Sequence, residues 1–91
     1  MLKVYKRDGR IEDFSQEKLA TSLINTGCDI KLTLNQRETE LLVQDIENII
    51  ISLRGKDGFT STYEISSIVS DILRNMGYSK LAFTYFENRL R

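Results

Sequence analysis

The residues best suited to chemistry stand in the first eighteen positions, where Lys6, Arg7, Arg10 and Lys18 gather around the carboxylate of Glu12. Such a set is poorly arranged for a core and well arranged for an anion. Arg presents paired donors to two oxygens at once and Lys a mobile point charge, so a phosphate chain suits them both. Glu12 can accept from an exocyclic amine, which adenine carries where guanine carries an acceptor. Farther along, Ser61 and Thr62 stand at a helix start, where free N–H groups and a hydroxyl would serve a sugar or phosphate. Arg89 and Arg91 add a basic C-terminus suited to the same triphosphate.

Plainer readings compete with each of these. A Lys-Arg-x-x-Arg strand edge commonly does no more than block strand pairing. Asp8-Gly9 is turn chemistry with or without a ligand, and Ser61 and Thr62 are ordinary caps. Tyr78, Tyr85 and Phe86 suit a core, and Cys28 suits a small buried filler. Only the joint pattern points to a nucleotide.

Composition narrows the field. The 91 residues carry 13 basic and 13 acidic side chains, so binding of anions must come from local clustering. One cysteine and no histidine exclude a disulfide framework and leave a transition metal almost without ligands. Ile49-Ile50-Ile51, flanked by Asn48 and Ser52, is too short to span a membrane, and Met1-Leu2-Lys3 leads into a strand rather than a signal-peptide apolar stretch. The cytoplasm is the expected location.

The elements that must position these groups follow from spacing. Asp8-Gly9 predicts a two-residue type I′ hairpin in which Arg7 faces Arg10, Lys6 faces Ile11 and Tyr5 faces Glu12. Ser15 caps a first helix, with Phe14 and Leu19 as a hydrophobic staple, Leu23 and Ile24 on its apolar side and Gly27 at its end. Cys28 to Leu32 reads as a connector. A Thr33–Gln36 capping box opens a second helix whose stripe is Leu42, Ile46, Ile49, Ile50 and Leu53, closed by Gly55. Phe59-Thr60 predicts a short strand beside the hairpin. Ser61 with Glu64 opens a third helix with Ile65, Ile68, Val69, Ile72, Leu73 and Met76 at helical spacing, stopped by Gly77. Tyr78, Leu81, Ala82, Tyr85, Phe86 and Leu90 form a fourth. The expected fold is α+β, one domain over residues 1–91: a hairpin lid (1–14), with a third strand near 59–60, capping a four-helix bundle (15–91).

The run Val4-x-Lys6-Arg7-Asp8-Gly9-x-x-Glu12-x-Phe14-x-x-x-Lys18 resembles the ATP-cone, the regulatory nucleotide-binding domain of ribonucleotide reductases and of a related family of repressors. Thr62-x-x-Ile65-x-x-x-Val69-x-x-x-Leu73 and Gly77-Tyr78-x-x-Leu81-Ala82 continue the resemblance over essentially the whole chain. It implies a regulatory role without catalysis, with ATP or dATP as effector together with Mg2+. It also implies nucleotide contacts at Val4, Lys6, Arg7, Glu12, Ser15, Lys18, Thr62, Ser66 and Arg91. The best-known reductase cones carry Asn where Ser15 stands and His near Ser66, so the chain departs from them at both places. No Cys pair precedes the hairpin, which separates it from the zinc-ribbon repressors and leaves a reductase front domain or a free-standing cone. The expected partners are the adenine nucleotide and a second copy or a reductase subunit, with no membrane and no nucleic acid. The alternatives are a small nucleic-acid-binding protein using the basic hairpin, or a helical interaction module docking through the fourth helix.

Overall fold

The hairpin turns through three residues, not two. In the computed structural model, which describes residues 1–90, the Lys6 N–H donates to the Arg10 carbonyl at 2.8 Å and the Gly9 N–H to the Lys6 carbonyl at 3.0 Å. Gly9 adopts a φ of 91° while Asp8 does not enter the left-handed region. The Asp8 carboxylate instead accepts from the Arg10 N–H at 3.1 Å and from its Nε at 2.6 Å. A type I turn followed by a left-handed glycine gives the bulged three-residue hairpin, and the type I′ expectation fails because only one residue needs positive φ. Strands β1 (Lys3–Tyr5) and β2 (Ile11–Asp13) consequently pair Lys3 with Asp13, Val4 with Glu12 and Tyr5 with Ile11. A shift of one residue exchanges the two faces of a strand. It sets Val4 and Glu12 together on the side of the helices and leaves Tyr5 and Ile11 about half exposed on the other, at 48% and 50%.

The third strand forms where the sequence places it, as β3 (Phe59–Ser61), pairing parallel to β1 in a mixed sheet of order β2-β1-β3. Phe59 stacks on Tyr5 across the outer face, with ring centres 5.3 Å apart.

Four helices complete the α+β fold: α1 (Gln16–Asp29), α2 (Gln36–Arg54), α3 (Thr62–Asn75) and α4 (Ser79–Leu90). Ser15 caps α1, its Oγ accepting the Lys18 N–H at 3.2 Å. Gly27 does not end that helix. It is buried inside it, and a Cβ there would lie 2.7 Å from the Leu32 carbonyl oxygen, so the returning connector requires glycine. The helix closes instead on Lys31, at φ 60°, with Leu32 N–H donating to the Gly27 carbonyl and Lys31 N–H to that of Cys28. Cys28 therefore lies in the last turn and is exposed rather than buried. Asn35 replaces the expected Thr33 as the cap of α2, accepting the Glu38 N–H at 3.1 Å, with the acid again three residues on.

Leu23, Ile46 and Ile50 have no exposed surface, and burial of each contributes about 1.5–3 kcal/mol. The stripe of α2 is Thr39, Leu42, Val43, Ile46 and Ile50, turned slightly from expectation. Ile49 sits at its rim, 38% exposed, and Leu53 is 62% exposed. In α3, Val69 and Leu73 are buried together with Ser66 and Ser70, while Met76 is 53% exposed. Ser70 donates to the Ala82 carbonyl at 3.3 Å, where α3 and α4 make the most extensive contact between elements. Leu2, Val4 and Phe14 carry the hairpin into the same core as Leu81, Ala82 and Tyr85.

Candidate functional site

The inner face of the hairpin, the first turns of α1 and α3 and the last turns of α4 enclose a cleft of about 110 Å³. Its lining is mixed: Val4, Phe14, Leu19, Ile65 and Tyr85 supply apolar surface, and Lys6, Glu12, Ser15, Lys18, Thr62 and Arg89 are among the polar residues around it. A second, open depression of about 300 Å³ adjoins it, sharing Lys6, Thr62 and Arg89 and adding Arg7, Asp8, Arg10 and Asn88. The first is a slot; the second is a shelf rich in cations.

Most of the residues singled out from the sequence meet here. Val4, Lys6, Glu12, Ser15, Lys18, Thr62 and Ser66 all line the slot, and Arg7 lies on the shelf. Arg91 falls outside the described residues. The hairpin register explains why Val4 and Glu12 arrive together: with a two-residue turn Glu12 would share a face with Tyr5 and point to solvent. Ser22 and Ile65 also line the slot, although the sequence reading gives them no role there. Their spacing held the signal, since Ser22 is four residues beyond Lys18 and Ile65 three beyond Thr62, each on the same helix face. Tyr85 is both core, at 2% exposure, and slot wall.

Charge at the mouth is only partly compensated. Glu12 accepts from Lys18 Nζ at 3.2 Å and pairs with Arg10 at 3.3 Å. The Lys18 hydrogen bond holds its carboxyl below the usual carboxylate range, with the charges of Lys18, Lys6 and Arg10 acting the same way. Asp8 is likewise lowered by the Arg10 backbone and side-chain hydrogen bonds. Asp13, which also borders the slot, pairs with Lys3. Five cations, Lys6, Arg7, Arg10, Lys18 and Arg89, thus outnumber the carboxylates of the two depressions, in a chain whose net charge is zero.

The hydroxyls have defined duties. Ser15 Oγ accepts from the Lys18 backbone, so its own proton stays available to a ligand. Ser66 donates to the Thr62 carbonyl at 2.9 Å, and Thr62 to the Tyr5 carbonyl at 3.4 Å, which ties the start of α3 to the central strand. Burial pushes the Tyr85 hydroxyl up, opposed by the charge and hydrogen bond of Arg89. Among the described residues no group of three or more His, Cys, Asp or Glu side chains could hold a metal, and no helix is long and apolar enough to cross a membrane.

A partly apolar slot at the starts of α1 and α3, continuous with a cationic shelf, marks a small α+β module whose cleft suits an anionic ligand. Residues 2–90 match the model of the ATP cone domain, and the chain belongs to that family. Members of the family are regulatory modules that bind adenine nucleotides, not catalytic domains. No curated protein matches the chain.

Proposed function

We propose that the cleft binds ATP or dATP, with the base in the slot and the phosphates on the shelf. The continuity of the two depressions carries this reading. A slot of about 110 Å³ is well below the roughly 300–1,000 Å³ of sites that engulf a whole ligand, so only the base enters it. Glu12, kept ionised by Lys18 and Arg10, is an acceptor suited to the adenine amine, and Ser15 stands beside it. Thr62 and Ser66 face the sugar; Lys6, Arg7, Lys18 and Arg91 serve the phosphates. The chain supplies no carboxylate cluster for Mg2+ among its described residues, so the ion accompanying the triphosphate rests on phosphate oxygens and water.

In this reading residues 1–91 act as one cytoplasmic domain in which the sheet is a lid over one end of the helical bundle. Binding shifts association with a second copy or a reductase subunit, whether the cone is its front domain or a free-standing relative. Such coupling requires the two association states to differ in nucleotide affinity. The nucleic-acid alternative suits the site less well, because the cations converge on one cleft instead of covering a broad face.

Thermal melts with parallel light scattering test the proposal. ATP at a hundredfold excess over its Kd is expected to stabilise the chain by about 2.7 kcal/mol, more than GTP at equal concentration, and to change the scattering mass. No shift with millimolar ATP and Mg2+ overturns nucleotide binding. Equal effects of GTP remove the base-reading role from Glu12, and a constant mass with all ligands removes self-association as the output.

A further inference from the structure

Among the described residues, Arg89 carries a buried side-chain donor that its partners leave unsatisfied. Its Nε is buried with no hydrogen-bond partner, although a guanidinium carries five donors and a buried charged donor left unpaired is costly. The carboxylates nearby are already engaged, Glu12 by Lys18 and Arg10 and Asp8 by Arg10. Arg89 also lies where slot and shelf meet, lining both. Its guanidinium carbon sits 4.8 Å from the centre of the Tyr85 ring, one helical turn back, and the side chain hydrogen-bonds Tyr85, so the plane is held in place while Nε is left unsatisfied. At the same residue the main-chain carbonyl accepts from an Arg7 terminal nitrogen at 2.9 Å, across the gap between hairpin tip and α4.

We propose that Arg89 takes the phosphate group nearest the base through Nε and a terminal nitrogen, and that this contact joins the ligand to both the hairpin tip and the last turn of α4. The inference rests on the nucleotide reading above and adds to it a specific residue and a route out of the site. The Nε edge of a guanidinium matches two oxygens of one phosphate, which satisfies the orphaned donor. Arg7 and Arg89 then share the ligand as well as their existing hydrogen bond, so an occupied shelf draws hairpin and α4 together. Adenosine, lacking phosphate, fills the slot without engaging this link.

Titrations of ATP, AMP and adenosine followed by NMR on the wild-type chain and on Arg89→Gln test it, with amide exchange read over residues 7–10 and 85–90. Arg89→Gln is expected to weaken ATP and AMP at least about tenfold while adenosine changes less than about twofold. ATP should slow exchange in both segments of the wild type and in neither segment of the variant. Arg89→Lys, which keeps the charge without Nε, should recover ATP affinity only in part, and it carries the same comparison should Arg89→Gln fail to fold. Unchanged ATP affinity in the variants, or equal losses for ATP and adenosine, overturns the role of Arg89 and leaves the nucleotide reading standing. A wild-type chain that binds none of the three ligands refutes the nucleotide reading itself.

Discussion

Two polar clusters flank the first turn of α3, and they are built on opposite principles. On one side Glu64 accepts from Arg54 at both oxygens, Nε at 3.1 Å and a terminal nitrogen at 2.6 Å, and from the Thr60 hydroxyl at 2.6 Å. This cluster is closed: one carboxylate, one guanidinium and a buried hydroxyl, tying the end of α2 to β3 and α3. On the other side lie Thr62 and Ser66, and beyond them the cations that outnumber their carboxylates. Residues 62 and 66 share a helix face that residue 64 does not, so one short turn serves both clusters without mixing them. A balanced set of charges holds the fold together, whereas the set at the cleft mouth keeps an excess of cations.

Breaking the closed cluster should have the larger effect on stability. Glu64→Ala strands the Thr60 hydroxyl, at 3% exposure, and removes a two-point contact, for an expected loss of about 1–3 kcal/mol in urea unfolding. A loss no greater than that of a substitution at an ordinary surface site would make the cluster ornamental. The open cluster should respond in the reverse way. Lys6→Ala or Arg7→Ala is expected to change stability by within about 0.5 kcal/mol yet weaken ATP about tenfold in calorimetry. Unchanged affinity in both variants would reduce the hairpin cations to a guard on the strand edge.

The smallest difference lies in the response to acid. Glu64 titrates below its ordinary value of 4.5, first because Arg54 and then because Thr60 hydrogen-bonds its ionised form. A lowered folded-state value means that the ion pair stabilises fully above about 4.5, and that this contribution fades as pH falls through the lower folded value. Glu12 shifts in the same direction, but within an exposed and overcharged group. Glu64→Gln should therefore flatten the loss of stability between about pH 5 and pH 3 more than Glu12→Gln does. Parallel acid-unfolding curves for the two variants would erase the distinction.

What the sequence made legible was mostly local. Ser15 and Ser61 are caps, Gly55 and Gly77 are stops, and Phe59 begins a strand, because each acts through neighbours within a few residues. The cations around Glu12 were legible for the same reason, and their register was not. Asp8-Gly9 is compatible with two turns, and the choice is made by the Arg10–Asp8 contact and by Val4 entering the core. Gly27 looked like a helix stop because nothing in its vicinity reveals that Leu32 returns across it. Ile49 and Leu53 fit the stripe of α2 by spacing, but which side of that stripe is covered depends on where the other elements pack. Arg89 shows the limit most clearly: a basic residue near the C-terminus is ordinary, and only the folded chain isolates its Nε.

The bulged turn at Gly9 also bears on how the protein avoids its own kind. β2 is an edge strand, and an exposed edge with free backbone groups is a template on which other chains can aggregate. Here the ladder ends after three residues, the bulge twists the edge where it begins, and Glu12 and Asp13 occupy two of its three positions. Short length, a bulge and charge are the means by which natural sheets discourage such recruitment. Tyr5, Ile11 and Phe59 expose apolar surface on the same sheet, so this protection falls where unwanted strand addition would have most to gain. The turn that brings Glu12 to the cleft thus also makes the edge a poor place for another strand to grow.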